Sequence, residues 1–146
     1  MSYAINEIQG ISPRKAIKFT VPGEPRSKQR PRVTARGTYT PKETIEAEKL
    51  VRHYYAAANG PFFEHQLKID INFYNGNRRR RDLDNMAKLV LDALNKVAFA
   101  DDYQVVELNL AKFFSTKELA RTEITIKEII EFPYDAEAVL EIPSEG

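Results

Sequence analysis

Residues 67–97 read LKIDINFYNGNRRRRDLDNMAKLVLDALNKV, and the fold turns on how this stretch divides. Leu67, Ile69, Ile71 and Phe73 alternate with Lys68, Asp70 and Asn72, the period of two that marks a strand with one buried face. Asn75 and Gly76 favour a turn and end it. Beyond four consecutive arginines the period changes to that of a helix. At about 100° per residue, Leu83, Ala87, Val90, Leu91, Leu94 and Val97 gather on one side of residues 82–97. Asp84, Asn85, Lys88, Asp92, Asn95 and Lys96 share the other side, so the helix is amphipathic. Asp82 suits its N-cap, which places a carboxylate at the positive helix end.

Toward the N-terminus, Ile17, Phe19 and Val21 alternate with Lys18 and Thr20 as an earlier strand, closed by Pro22-Gly23-Glu24-Pro25. Pro25 and Pro31 bar residues 23–37 from a helix interior, so an exposed basic arm or irregular hairpin is expected there. Thr40-Pro41-Lys42-Glu43 combines a Thr N-cap, Pro at the first helical position and an acid three residues past the cap. That helix should carry an apolar stripe of Ala47, Leu50, Val51, Tyr54, Tyr55 and Ala58 and stop at Asn59-Gly60-Pro61. Toward the C-terminus, Val106, Leu108 and Leu110 mark a third strand and Thr122, Ile124 and Ile126 a fourth, expected to pair as an antiparallel hairpin. The order β-α-β-α-β-β predicts an α+β fold, a small mixed sheet of about four strands with two helices on one face. Residues 1–132 form one domain, with the basic arm at 23–37. Residues 133–146 are expected to form an acidic, loosely held tail.

The chain of 146 residues contains no cysteine, which excludes a disulfide framework and thiol catalysis. With His53 and His65 as the only histidines, a Cys/His zinc site is excluded as well, and His53, in a tyrosine-rich helix, reads as a packed or surface residue. Neither a signal peptide nor a membrane span is recognisable, so a cytoplasmic protein with no membrane partner is expected. A net charge of +1 conceals an uneven distribution: residues 131–146 hold five acids and no base, leaving residues 1–130 at +6. The bases cluster as Arg26, Lys28, Arg30 and Arg32, and as Arg78, Arg79, Arg80 and Arg81, the footprint of a nucleic-acid binder.

Acids crowded against guanidinium groups make sense where a divalent cation and a polyanion meet. Asp82, Asp84 and Asp102, or its neighbour Asp101, are hard oxygen ligands of the kind Mg²⁺ or Mn²⁺ takes. The structural alternative is an N-cap, a solvated helix face and an ordinary turn. An EF-hand fails, because Ala87 and Ala93 stand where it needs Gly and Glu. Lys88 lies one turn after Asp84, placed either for an i,i+4 ion pair or to stabilise charge on a reacting phosphate. Asp92 is expected to be a solvated partner of Lys88 or Lys96. Both arginine clusters are read as phosphate contacts, with a solvated charge run as the alternative.

Arg81-Asp82-Leu83-Asp84-Asn85, Lys88, Asp92-Ala93-Leu94 and Asp101-Asp102-Tyr103-Gln104-Val105 together resemble the RusA family of Holliday junction resolvases. The arm from Pro22 through Arg26, Lys28 and Arg30 to Arg32 is similar to the N-terminal segment of its phage and Gram-positive members. The resemblance implies a homodimeric, Mg²⁺-dependent endonuclease that nicks two opposed strands of four-way-junction DNA. It would be nucleoid-associated and need no small-molecule cofactor. Position by position, it implies Asp82, Asp84 and Asp102 as metal-binding acids and Lys88 as the catalytic lysine. The rivals are a non-catalytic DNA-binding accessory protein and a less selective flap or fork nuclease. Reach poses a constraint: with a helix to Val97, Asp102 would start about 20 Å from Asp84, whereas five extended residues cover about 17 Å. Either the helix ends near Leu94, Asn95 or Lys96, or a second chain completes the site.

Overall fold

The computed structural model describes residues 15–129, so the tail at 133–146 and the N-terminal residues 1–14 lie outside the described residues. The chain runs β1 (Ala16–Pro22), β2 (Arg32–Thr34), β3 (Gly37–Tyr39), α1 (Lys42–Ala57), β4 (Leu67–Asn75), α2 (Leu83–Leu94), β5 (Val105–Phe114) and β6 (Arg121–Glu128). Single 3₁₀ turns occupy Asp102–Gln104 and Lys117–Leu119. The architecture is the expected α+β arrangement: a mixed four-stranded sheet whose one face packs against both helices. The basic arm contributes only the small exposed ribbon of β2 and β3.

Strand order departs from expectation. It is β1-β6-β4-β5, with β6 antiparallel to both β1 and β4, and β5 parallel to β4. The hairpin expected between the last two long strands therefore does not form. Ile124 and Ile126 of β6 are fully buried at the centre, whereas β5, although the more apolar strand in sequence, takes the edge and leaves Leu108, Phe113 and Phe114 exposed. The connection crosses the end of β4. Ser115 N–H donates to the Asn75 carbonyl at 2.7 Å, and a Cβ on Gly76 would lie 2.8 Å from the Lys117 backbone, so only glycine fits under the crossing. A parallel β4–β5 pair requires a crossover, which α2 supplies.

The helix α1 starts one residue later than its sequence suggests. Pro41 occupies the N-cap, its carbonyl accepting from the Thr44 and Ile45 amides, and no side chain caps the end. Thr44 is buried and its hydroxyl accepts the Gln29 amide at 3.3 Å, which fastens the first turn to the arm. The apolar stripe is narrower than expected: Val51 and Tyr55 are buried, Ala47 and Tyr54 pack at the margin, and Leu50 and Ala58 are exposed. After Asn59, in the left-handed region at φ 58°, Gly60 passes so near the Tyr55 ring that a Cβ would meet it at 2.3 Å. The Tyr55 hydroxyl donates to the Pro61 carbonyl, and burial pushes its pKa up to about 12.

Asp82 is the N-cap of α2, as expected, but the helix ends at Leu94 and not at Val97. The cause is tertiary. Ala98 and Phe99 are fully buried beside Phe63, whose amide donates to the Ala98 carbonyl at 2.7 Å. To bring them inward the chain reverses at Lys96, φ 67°, leaving Val97 exposed. The helix also buries more than one stripe: Met86, Leu89 and Ala93 join Ala87, Val90 and Leu94 in the core. Met86, Leu89, Val90 and Leu94 contribute about 1.5–3 kcal/mol each before chain entropy opposes them.

Gln104, buried in the turn before β5, holds this region closed. Its Oε1 accepts the Ala100 and Asp101 amides, and its Nε2 donates to the Phe63 and His65 carbonyls at 3.1 and 3.0 Å. Replacing it strands four backbone groups. Gln104→Ala should lower unfolding stability by about 2–4 kcal/mol in urea titration, and a loss below about 0.5 kcal/mol would show that the clamp carries no weight.

Candidate active site

The side chains singled out along α2 line a shallow cleft between that helix and the edge strand β5. Asp84, Lys88 and Asp92 form one wall, Leu108 and Leu110 the floor, and Asp102 closes one end, around a volume of about 260 Å³. The strand register explains the floor: Leu108 and Leu110 pair with Ile69 and Ile71 and so share the helix-covered face. Lys112, next on that face, donates from Nζ to the Arg81 carbonyl at 2.9 Å and ties β5 to the entry of α2.

Of the two routes open to Asp102, an early helix end is the one taken. The chain doubles back after Leu94, and Asp102 reaches the cleft. It arrives, however, beside the wrong end of the helix to join Asp84. The Asp102 carboxyl is held above its ordinary pKa by its hydrogen bond with Asp101, then by burial, then by the charges of Asp101 and Asp92. Asp84 and Asp92 are two helical turns apart, about 12 Å. Asp82 lies outside the cleft, its Oδ2 3.5 Å from Asn85 Nδ2. Among the described residues no three acid or histidine side chains gather closely enough to hold a metal ion. The donor chemistry still fits Mg²⁺, which needs only one or two carboxylates besides water and phosphate. Within one chain the acids form two groups, Asp82 with Asp84 at one end and Asp101 with Asp102 at the other.

The basic residues separate into free and engaged sets. Arg78, Arg79 and Arg80 are exposed, as are Arg26, Arg30 and Arg32. Arg26, Ser27, Gln29, Arg79, Arg80 and Arg81 line one hollow of about 380 Å³, so the arm and the arginine run, far apart in sequence, converge. Arg81 serves partly as structure: its side chain is only 9% exposed and its Nη1 lies 3.1 Å from Glu24 Oε1. Glu24 also accepts the Gly76 amide.

Lys28 does not face solvent as the arm was expected to. Its ammonium lies 2.9 Å from Glu48 and 3.1 Å from Asp92, and its amide donates to the Asn85 carbonyl at 3.0 Å. Burial alone would lower its pKa. The hydrogen bonds to Glu48 and Asp92, with their charges, outweigh that and hold it above the ordinary lysine value. Asp92 is therefore the partner of Lys28 and not of Lys88 or Lys96. Glu24, Lys112 and Gln104 escaped the sequence reading. Lys112 carried a signal in its spacing from Leu108 and Leu110, which puts it on the cleft side of β5, and Gln104 in its place within the stretch Asp101 to Val105.

Against known proteins, the family described as endodeoxyribonuclease RusA matches residues 22–127. The chain is 30% identical over 144 residues to the uncharacterized protein YqaN of Bacillus subtilis (strain 168), covering 77% of this chain and 96% of YqaN. It is 47% identical over 64 residues to the crossover junction endodeoxyribonuclease RusA of Escherichia coli (strain K12), and the same holds for that of Enterobacteria phage 82. Those matches cover 43% of this chain and 52% of each RusA, about half their length.

The acid cluster at the end of the cleft has a measurable consequence. Asp101→Ala removes the strongest influence raising the Asp102 pKa, so that pKa should fall toward the ordinary carboxylate value in a ¹³C NMR titration. An unchanged midpoint would mean that the two acids do not interact.

Proposed function

The chain belongs to the RusA family of endodeoxyribonucleases, and on that premise we propose that it is a Mg²⁺-dependent endonuclease resolving four-way junctions as a homodimer. One observation supports the proposal beyond kinship: Arg81 lines the arginine hollow and Asp84, three residues on, lines the acid-bearing cleft. Phosphates held by Arg26, Arg79 and Arg80 would present the next stretch of backbone to the acids.

Asp82 and Asp84 of one subunit, with Asp102 of the partner subunit, would hold the metal, a reading supported by the absence of any three-acid cluster among the described residues of one chain. When bound, Mg²⁺ supplies polarisation of the scissile phosphate and a lowered pKa for the attacking water. The protein's own groups do the rest. Lys88, without a hydrogen bond or ion pair among the described residues, is free to donate to a phosphate oxygen as negative charge builds on it. Leu108 and Leu110 give the cleft an apolar floor that strengthens that interaction by limiting water. A two-fold dimer provides two such sites, as paired nicks on a symmetric junction require.

Asp84→Asn should bind a four-way junction within about threefold of wild type and lose cleavage by at least about 10³-fold, measured on labelled junctions with and without Mg²⁺. Magnesium-dependent cleavage by that variant would refute the assignment. Forked and linear duplexes assayed alongside decide between a junction-selective and a general branched-DNA nuclease, and intact junctions with a persisting mobility shift would identify an accessory binder.

A further inference from the structure

Lys88 and Asp92 stand one helical turn apart on the same face of α2, the spacing at which lysine and aspartate ordinarily pair. Here they do not. Asp92 Oδ2 is 3.1 Å from Lys28 Nζ, and Lys28 is anchored from its other side by Glu48 at 2.9 Å and by its own amide on the Asn85 carbonyl. Asp84, the other acid within one turn of Lys88, is turned back on the Asn85 amide at 3.0 Å. Lys96, one turn beyond Asp92, sits past the helix end at φ 67° and has left that face. Asp92 thus has two cations in contention, Lys28 and Lys88, and Lys28 holds it.

We infer that Lys28 is a positioning residue: by engaging Asp92 from the basic arm, it keeps the Lys88 ammonium unpaired and available to the substrate phosphate. The arrangement makes the fold of the arm a condition for the cleft's chemistry. Lys28 acts through Asp92 and touches neither DNA nor metal. Without Lys28, Asp92 is left half-buried beside Asp101 and Asp102, and Lys88 is the remaining cation within one turn of it. The inference rests on Lys88 acting on the substrate, but the ion-pair exchange can be observed without any cleavage.

The test is a double-mutant cycle on the full-length protein, following junction cleavage under single-turnover conditions and junction binding separately. Lys28→Met should lower the cleavage rate about fivefold, the scale of a helical ion pair strengthened by partial burial, while the junction Kd stays within about twofold. In an Asp92→Asn background the same Lys28→Met change should have no further effect, because the competitor is gone. Lys28→Arg should restore most of the rate. A crystal structure of Lys28→Met should show Lys88 Nζ within ion-pair distance of Asp92. Equal rate losses in both backgrounds would reduce Lys28 to a structural role, and a weakened Kd with an unchanged rate would make it a phosphate contact; either overturns the inference. Should wild type fail to cut junctions, the proposed function falls, and the Lys28→Met structure still decides where Lys88 goes.

Discussion

The burial of α2 against the sheet is the constraint on which the rest of the molecule depends. Met86, Ala87, Leu89, Val90, Ala93 and Leu94 commit that helix to the core over its whole length, so it can neither rotate nor slide. Its polar residues therefore have fixed positions. Asp84, Lys88 and Asp92 project in register along the gap beside β5, and the parallel β4–β5 pairing sets the width of that gap. Asp84 and Lys88 are exposed, but their placement is decided by side chains buried in the core.

Around that fixed helix, charges are sorted by small local devices. Glu24 takes the guanidinium nearest the acids, Arg81, together with the turn amide of Gly76, while Arg79 and Arg80 remain free. Lys28 takes Asp92 and Glu48. Lys112 reaches across from β5 to the Arg81 carbonyl. Each contact is modest in energy. Together they fix which charges are paired and which, such as Lys88, Arg79 and Arg80, have no ion-pair partner among the described residues.

Much of this was legible in the sequence, because periodicity reports which way a side chain faces. The 100° projection put Asp84, Lys88 and Asp92 on one side of a helix, and period-two alternation located β1, β4 and β6. Strand order was not legible, since alternation names a buried face without naming the neighbouring strand; nothing in Val106, Leu108 and Leu110 says edge, or in Thr122, Ile124 and Ile126 says centre. Periodicity left the helix end open between Leu94 and Val97 for a similar reason. Val97 continues the apolar stripe, and only the distant Phe63 explains why Ala98 and Phe99 fold inward instead. Lys28 looked like one more arm base because its partners, Glu48 and Asp92, belong to two later helices. Residue type and spacing singled out Asp82 and Asp84, and the family resemblance added Asp102, whereas where these acids stand relative to one another depends on where the chain reverses.

That arrangement makes the composite site the central claim, and subunit mixing tests it most directly. Asp84→Asn and Asp102→Asn, each inactive alone, are co-refolded so that the subunits exchange at random. If each site joins Asp84 of one subunit to Asp102 of its partner, every mixed dimer regains one intact site, and nicking of junctions returns to about a quarter of the wild-type rate. A mixture that contains mixed dimers and remains as inactive as its components would place all three acids on a single chain and contradict the account.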